Sequence, residues 1–130
     1  MKFIRLLSKD DKMFNDAIML YRKSFPYHEQ RKIESQKEIL SDKEYNFDLI
    51  YDNDNFIGII LYWETLDYIY IEHFCIEPNM RNKKYGENAL ELLKKKNKTM
   101  ILEIDPPIDE ISIRRKLFYT RVGYKENTFN

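Results

Sequence analysis

Between Arg81 and Gly86 the chain gathers three cations, Arg81, Lys83 and Lys84, with Asn82, Tyr85 and a glycine, directly before the helix-forming run Glu87 to Leu93. The first turn of a helix carries unpaired N–H groups, and its dipole adds about +0.5 charge there. A phosphate suits those donors. The basic side chains add mobile positive charge, and Gly86 lets backbone approach a ligand closely. Two carboxylates could move protons. Glu72 lies in the apolar run Tyr68 to Ile76, and Glu103 lies in Leu102-Glu103-Ile104. Carboxylates in mostly apolar strands are expected to have raised pKa values, which suits a base. The plainer alternative makes one a surface strand residue and pairs the other with Arg114 or Arg115. His73 follows Glu72 directly, so alternation along a strand sends the two side chains to opposite faces, and His73 reads as structural. His28 reads as a surface residue. The two histidines lack supporting Cys/His/Asp spacing, which argues against a metal site. Cys75, the one cysteine, has no Cys–His constellation around it and reads as a small core residue.

These residues need a strand, a turn and a helix to hold them. Tyr68 to Ile76 supplies the strand, Glu77 to Gly86 the turn, and about Lys84 to Asn97 the helix, with Tyr85, Ala89, Leu90, Leu92 and Leu93 toward a sheet. Thr99 to Asp105 is the next strand. A strand–helix–strand unit of this kind is parallel. Before it, Tyr45 to Tyr51, Phe56 to Glu64 and Tyr68 to Ile76 are joined by short turns and predict an antiparallel meander. At the N-terminus a short strand, Lys2 to Leu7, precedes a helix capped by Ser8 with Asp10 and Asp11 in its first turn, ending near Ser24 before Pro26. A weakly amphipathic helix runs to about Leu40. The last helix begins at Asp109 or Ser112, presents Ile111, Ile113, Leu117 and Phe118, and ends at Gly123.

The chain has 130 residues, room for one domain spanning 1–130. Lys+Arg and Asp+Glu are both 22, giving zero formal net charge, which argues against nucleic acid or an anionic membrane as partner. The longest apolar run, Phe56 to Trp63, is too short to span a bilayer, and the first residues lack the apolar stretch of a signal peptide. The expected setting is cytoplasmic.

The apolar-Glu-Pro end of the strand followed by Arg81, four residues and Gly86 resembles motif A of the GCN5-related N-acetyltransferases (GNAT). Phe118-Tyr119, three residues and Gly123-Tyr124 is similar to motif B. Lys84 stands where the family usually has a glycine. The resemblance implies an α/β (α+β) fold with a mixed sheet, antiparallel strands first and a parallel β-α-β unit later, and about four helices. It implies acetyl-CoA as cosubstrate, with no metal. Backbone near Phe74, Cys75 and Ile76 would pair with pantetheine, at an edge opened by strands that splay apart. Arg81, Asn82, Lys83, Lys84, Tyr85 and Gly86 would hold the diphosphate, with Ser112 and Arg115 as further CoA contacts. Tyr119 would protonate the departing thiolate, and Glu72 or Glu103 would take the proton of the amine.

The expected activity is N-acetyl transfer from acetyl-CoA to a primary amine of a small molecule or peptide, by direct attack. The alternative is a non-catalytic CoA-binding or protein-interaction domain of the same fold. Lys125 to Asn130 leave room for one more strand at most, where the family uses two. The expected C-terminal strand pair is therefore truncated or incomplete, and the open sheet edge could pair with a second copy as a homodimer.

Overall fold

The computed structural model describes residues 1–126. Five strands form a mixed sheet in the order β1-β2-β3-β4-β5, where β1 is Lys2–Arg5, β2 Tyr45–Asp52, β3 Asn55–Glu64, β4 Tyr68–Ile76 and β5 Thr99–Leu102. The first four pair antiparallel, and β4 pairs with β5 in parallel. Helices α1 (Phe14–Ser24) and α2 (Ile33–Ile39) precede β2. Helix α3 (Tyr85–Lys94) connects β4 to β5, and α4 (Glu110–Arg121) follows. The fold is the mixed α/β arrangement expected from the sequence.

Alternate residues of the central strands feed two cores. Phe47, Leu49, Ile59 and Leu61 pack with Ala17, Leu20 and Tyr21 of α1. Ile50, Ile60, Tyr62, Ile69 and Ile71 pack with Ala89, Leu90 and Leu93 of α3 on the other face. Both β2 and β3 are continuously buried along their middle, because each strand is covered on both sides. Gly58 allows β3 and β4 to lie close, since a Cβ there would stand 2.5 Å from the Cys75 carbonyl oxygen.

Local chemistry moves some boundaries. Helix α1 begins at Phe14, later than Ser8 suggested. The Ser8 hydroxyl accepts from the Asp10 amide at 3.0 Å, and Asp11 accepts from the Met13 amide at 2.8 Å, so both side chains build turns before the helix. Asp109 is the cap of α4, bonding the Ser112 amide at 2.7 Å. Ile111 and Leu117 of α4 face solvent, and Phe118 and Tyr119 make its contact with the core. Gly123 follows with φ of +105°.

Two features open the sheet where the site lies. Pairing of β4 with β5 runs only from Tyr68↔Thr99 to Ile71↔Leu102, so among the described residues Glu72 to Ile76 have no partner strand on that side. Between Leu61 and Tyr62 the β3–β4 register shifts: Leu61 faces His73, Tyr62 faces Ile71, and Glu72 is the extra residue of a bulge. Among the described residues no helix is long and apolar enough to cross a membrane. Lys125 and Glu126 are not in a strand, and the rest of the expected terminal strand, residues 127–130, lies outside the described residues.

Candidate active site

The open edge of β4, the turn after it and α4 enclose a cleft of about 1070 Å³. Phe74, Cys75 and Ile76 form one wall, and Arg81, Asn82, Lys84, Tyr85 and Gly86 form the end. From α4 come Arg114, Arg115, Phe118, Tyr119 and Arg121. Arg81, Lys84, Arg114, Arg115 and Arg121 make the lining strongly basic, with Glu87 its one acid. At the N-terminus of α3, Lys84 takes φ 64° and ψ 14° and no side chain caps the helix. A left-handed non-glycine residue costs about 1 kcal/mol. The free amides and the cations converge on the cleft end, a fit for a diphosphate.

A second cavity, about 90 Å³, adjoins the cleft and is lined by Phe25, Glu29, Glu72, His73, Phe74, Glu103, Arg115 and Tyr119 among others. Phe25, Phe74, Arg115 and Tyr119 belong to both walls. Burial pushes the Tyr119 phenol up to about 12, against the pull of the Arg115 charge. Tyr119 therefore holds its proton at neutral pH and can offer it at the junction of the two spaces.

Glu72 is not in the state its apolar strand suggested. The bulge turns its carboxylate toward the same side as His73, so the expected opposite faces do not hold, and His73 Nδ1 lies 3.5 Å from Glu72 Oε1. Arg31 Nη2 reaches Oε1 at 2.9 Å and Oε2 at 3.0 Å, and Trp63 Nε1 donates to Oε2 at 3.0 Å. Burial alone would raise its pKa. The nearby His73 ring, the hydrogen bond from Trp63 and the charge and hydrogen bonds of Arg31 outweigh burial and hold it at about 2. Glu103 is exposed, because β5 stops at Leu102 before reaching it. Neither carboxylate pairs with Arg114 or Arg115: Arg114 binds Glu110, and Arg115 lies 3.9 Å from Asp105.

A model of the acetyltransferase (GNAT) family matches residues 11–124. The chain belongs to the GNAT acetyltransferase family. Its fold superposes on a GNAT-family structure from Bacteroides thetaiotaomicron with a TM-score of 0.87 at 32% identity, covering 95% of this chain and 71% of that one. It is 25% identical over 104 residues to YjbC of Bacillus subtilis (strain 168), covering 78% of this chain and 52% of that protein, so it spans about half of YjbC. The structure of AAC(6')-Iy in complex with a CoA-linked bisubstrate analogue shares the fold at a TM-score of 0.72 and 13% identity, covering 99% of this chain and 93% of that one.

Most residues picked out by the GNAT resemblance meet in the cleft, but Ser112 and Lys83 do not line it. Ser112 turns its hydroxyl to Asp109, donating to Oδ1 at 2.7 Å, and does not line the cleft. Lys83 points outward, its Nζ 4.0 Å from the Met80 sulfur. Gly86 has a packing reason: a Cβ would stand 3.3 Å from the Phe118 ring and 3.7 Å from Phe74. Arg81 Nε donates to the Ile76 carbonyl at 3.1 Å, so that acceptor of the β4 edge is already engaged. Burial raises the Cys75 thiol to about 11, over the opposing influence of nearby Ser24 and Arg81, which makes it a poor nucleophile. His28 is exposed, as expected of a surface residue. Sequence reading missed Arg31 and Trp63 as partners of Glu72, and Arg114 and Arg121 as cleft cations. The α4 arginines sit four and seven residues from Phe118 and Arg114 in helical register, a signal that charge spacing alone could have given.

Proposed function

We propose that this chain is an N-acetyltransferase that moves the acetyl group of acetyl-CoA to an amine. The observation that carries the reading is the position of Tyr119, whose side chain lines both the basic cleft and the small cavity with three carboxylates, Glu29, Glu72 and Glu103. The basic cleft suits the diphosphate and the unpaired β4 edge suits the amide groups of pantetheine. The acid-lined cavity suits a cationic amine.

In this reading Arg81, Lys84 and the amides of the α3 turn hold the diphosphate, and Phe74 and Cys75 offer backbone to pantetheine. Positioning of thioester and amine supplies most of the acceleration. The amine loses a proton to Glu103, directly or through water. Its nitrogen then bonds to the acetyl carbon as the carbon–sulfur bond breaks, Tyr119 gives its proton to the departing thiolate, and the excess proton left on the nitrogen passes through water to the Tyr119 phenolate as the neutral amide forms. Glu72 is a poor base here, since a carboxylate held near 2 binds protons weakly at neutral pH.

The test is release of free CoA thiol from acetyl-CoA in the presence of a panel of amines, including small diamines, aminoglycosides and N-terminal peptides. Amine-dependent thiol release supports transfer. Saturable acetyl-CoA binding without release across the panel would favour a non-catalytic CoA-binding member.

A further inference from the structure

We propose that Glu72 is a positioning residue, the pin that fastens the Phe25–Arg31 segment across the small cavity, and that it is not the proton acceptor. That segment runs from the end of α1 through a 3-10 turn, Tyr27–Glu29, to the start of α2. It supplies Phe25 and Glu29 to the cavity wall. Helix α2 beside it is short, and among its residues only Gln36 is buried. A wall of this kind needs ties from elsewhere.

Both hydrogen-bonded ties to the sheet come from the bulge of β4, while the Arg31 guanidinium also lies 5.5 Å from the centroid of the Tyr45 ring on β2. Arg31 Nη2 bonds both Glu72 oxygens at 2.9 and 3.0 Å. His73 Nε2 lies 3.1 Å from the Glu29 carbonyl oxygen and its ring packs edge-on against Phe25, centroids 4.5 Å apart. From the α1 side, the Tyr21 hydroxyl accepts the Arg31 amide at 2.8 Å and Gln30 Nε2 donates to the Phe25 carbonyl at 2.7 Å. Trp63 from β3 and His73 occupy the other flanks of the carboxylate. Oε2 thus already accepts from Arg31 and Trp63, and Oε1 accepts from Arg31 with His73 Nδ1 3.5 Å away, which leaves little room for a substrate proton. One extra residue in β4 therefore does two things. It turns Glu72 and His73 to one side, and it gives the acceptor wall two adjacent anchors. Glu72 in this role sets where an amine enters and how it is held, so its loss weakens acceptor binding more than the chemical step.

The experiment compares wild type, Glu72→Gln, Arg31→Gln and the double variant. Amide hydrogen exchange at Gln30 and Arg31 needs no acceptor. The expected result is a loss of protection of about tenfold in each single variant, with the double no looser than either, since one tie is cut in all three. Acetyl-CoA affinity, read on the same samples, stays within about twofold and shows that the domain is folded. Unchanged exchange in Glu72→Gln would overturn the proposal.

The kinetic arm rests on the acetyl-transfer reading and uses the amine that the panel identifies. KM for that amine should rise about tenfold or more in Glu72→Gln with kcat changed less than about threefold, and the acid limb of the pH–rate profile should stay in place. A kcat loss of about 100-fold at unchanged KM, with the acid limb gone, would make Glu72 the base and overturn the proposal. Should no amine be turned over, the transfer reading falls, while the exchange arm still decides whether Glu72 pins the wall.

Discussion

One guanidinium nitrogen of Arg31 bridges both carboxylate oxygens of Glu72, 41 residues away, at 2.9 and 3.0 Å. The pair joins the loop before α2 to the bulge in β4. Together with His73 and Trp63 it keeps Glu72 ionised far below the ordinary carboxylate range.

That contact predicts an acid-labile contribution to stability. The Glu72 carboxyl is lowered from 4.5 to about 2 in the fold. A lowered folded-state pKa stabilises above the unfolded value, and the contribution is lost as pH falls through the folded value. The size is on the order of 3 kcal/mol at neutral pH. Urea unfolding of wild type and Glu72→Gln should differ most at pH 7 and converge between about pH 4.5 and pH 2. A difference independent of pH would contradict the ion pair.

Lys84 predicts opposite effects on stability and binding. Its φ of 64° is left-handed, so Lys84→Gly should relieve up to about 1 kcal/mol and raise Tm by a few degrees. The same change removes a cleft cation and should weaken acetyl-CoA binding severalfold, with a shallower salt dependence. Thermal unfolding and calorimetry read the two effects separately. Tighter binding by Lys84→Gly would mean that the lysine obstructs the diphosphate.

Tyr119→Phe removes one oxygen and keeps the ring against Tyr124 and Phe118. As proton donor to sulfur, the phenol should contribute about 10²-fold to kcat. Steady-state rates should fall accordingly while acetyl-CoA affinity and Tm change little. An unchanged kcat would reduce Tyr119 to a packing residue.

Gly58→Ala tests the close approach of β3 to β4. The added Cβ would meet the Cys75 carbonyl oxygen, a backbone atom, at 2.5 Å. Destabilisation of about 1–3 kcal/mol is expected in chemical denaturation. A smaller change would mean that the strands can part without cost.

Much of this was legible in the chain. Strand β4 has the same bounds in both readings, because a β-branched and aromatic run between Asp67 and Pro78 is punctuated on both sides. The antiparallel order followed from the short turns, and the parallel pair from the helix between its two strands. The cleft wall of Phe74, Cys75, Ile76, Arg81, Lys84 and Gly86 followed from motif A. The state of Glu72 was not legible. Strict alternation separates Glu72 from His73, and a bulge is set by pairing with β3, which no local pattern records. Arg31 meets Glu72 only through the folded path of α1 and β2. Ser112 looked like a cleft contact, but its position three residues after Asp109 is also that of a capping box, and the cap prevailed. Glu103 lost its apolar setting because β5 ends one residue before it.

The measurement that bears most directly on the central claim is calorimetric titration of the chain with acetyl-CoA, run on wild type and on Gly86→Asp that circular dichroism shows to be folded. Saturable binding by wild type, abolished by a carboxylate placed at the α3 N-terminus beside Phe118 and Phe74, is the predicted result. Equal binding by both proteins, or none by wild type, would contradict a diphosphate site on the Arg81–Gly86 turn.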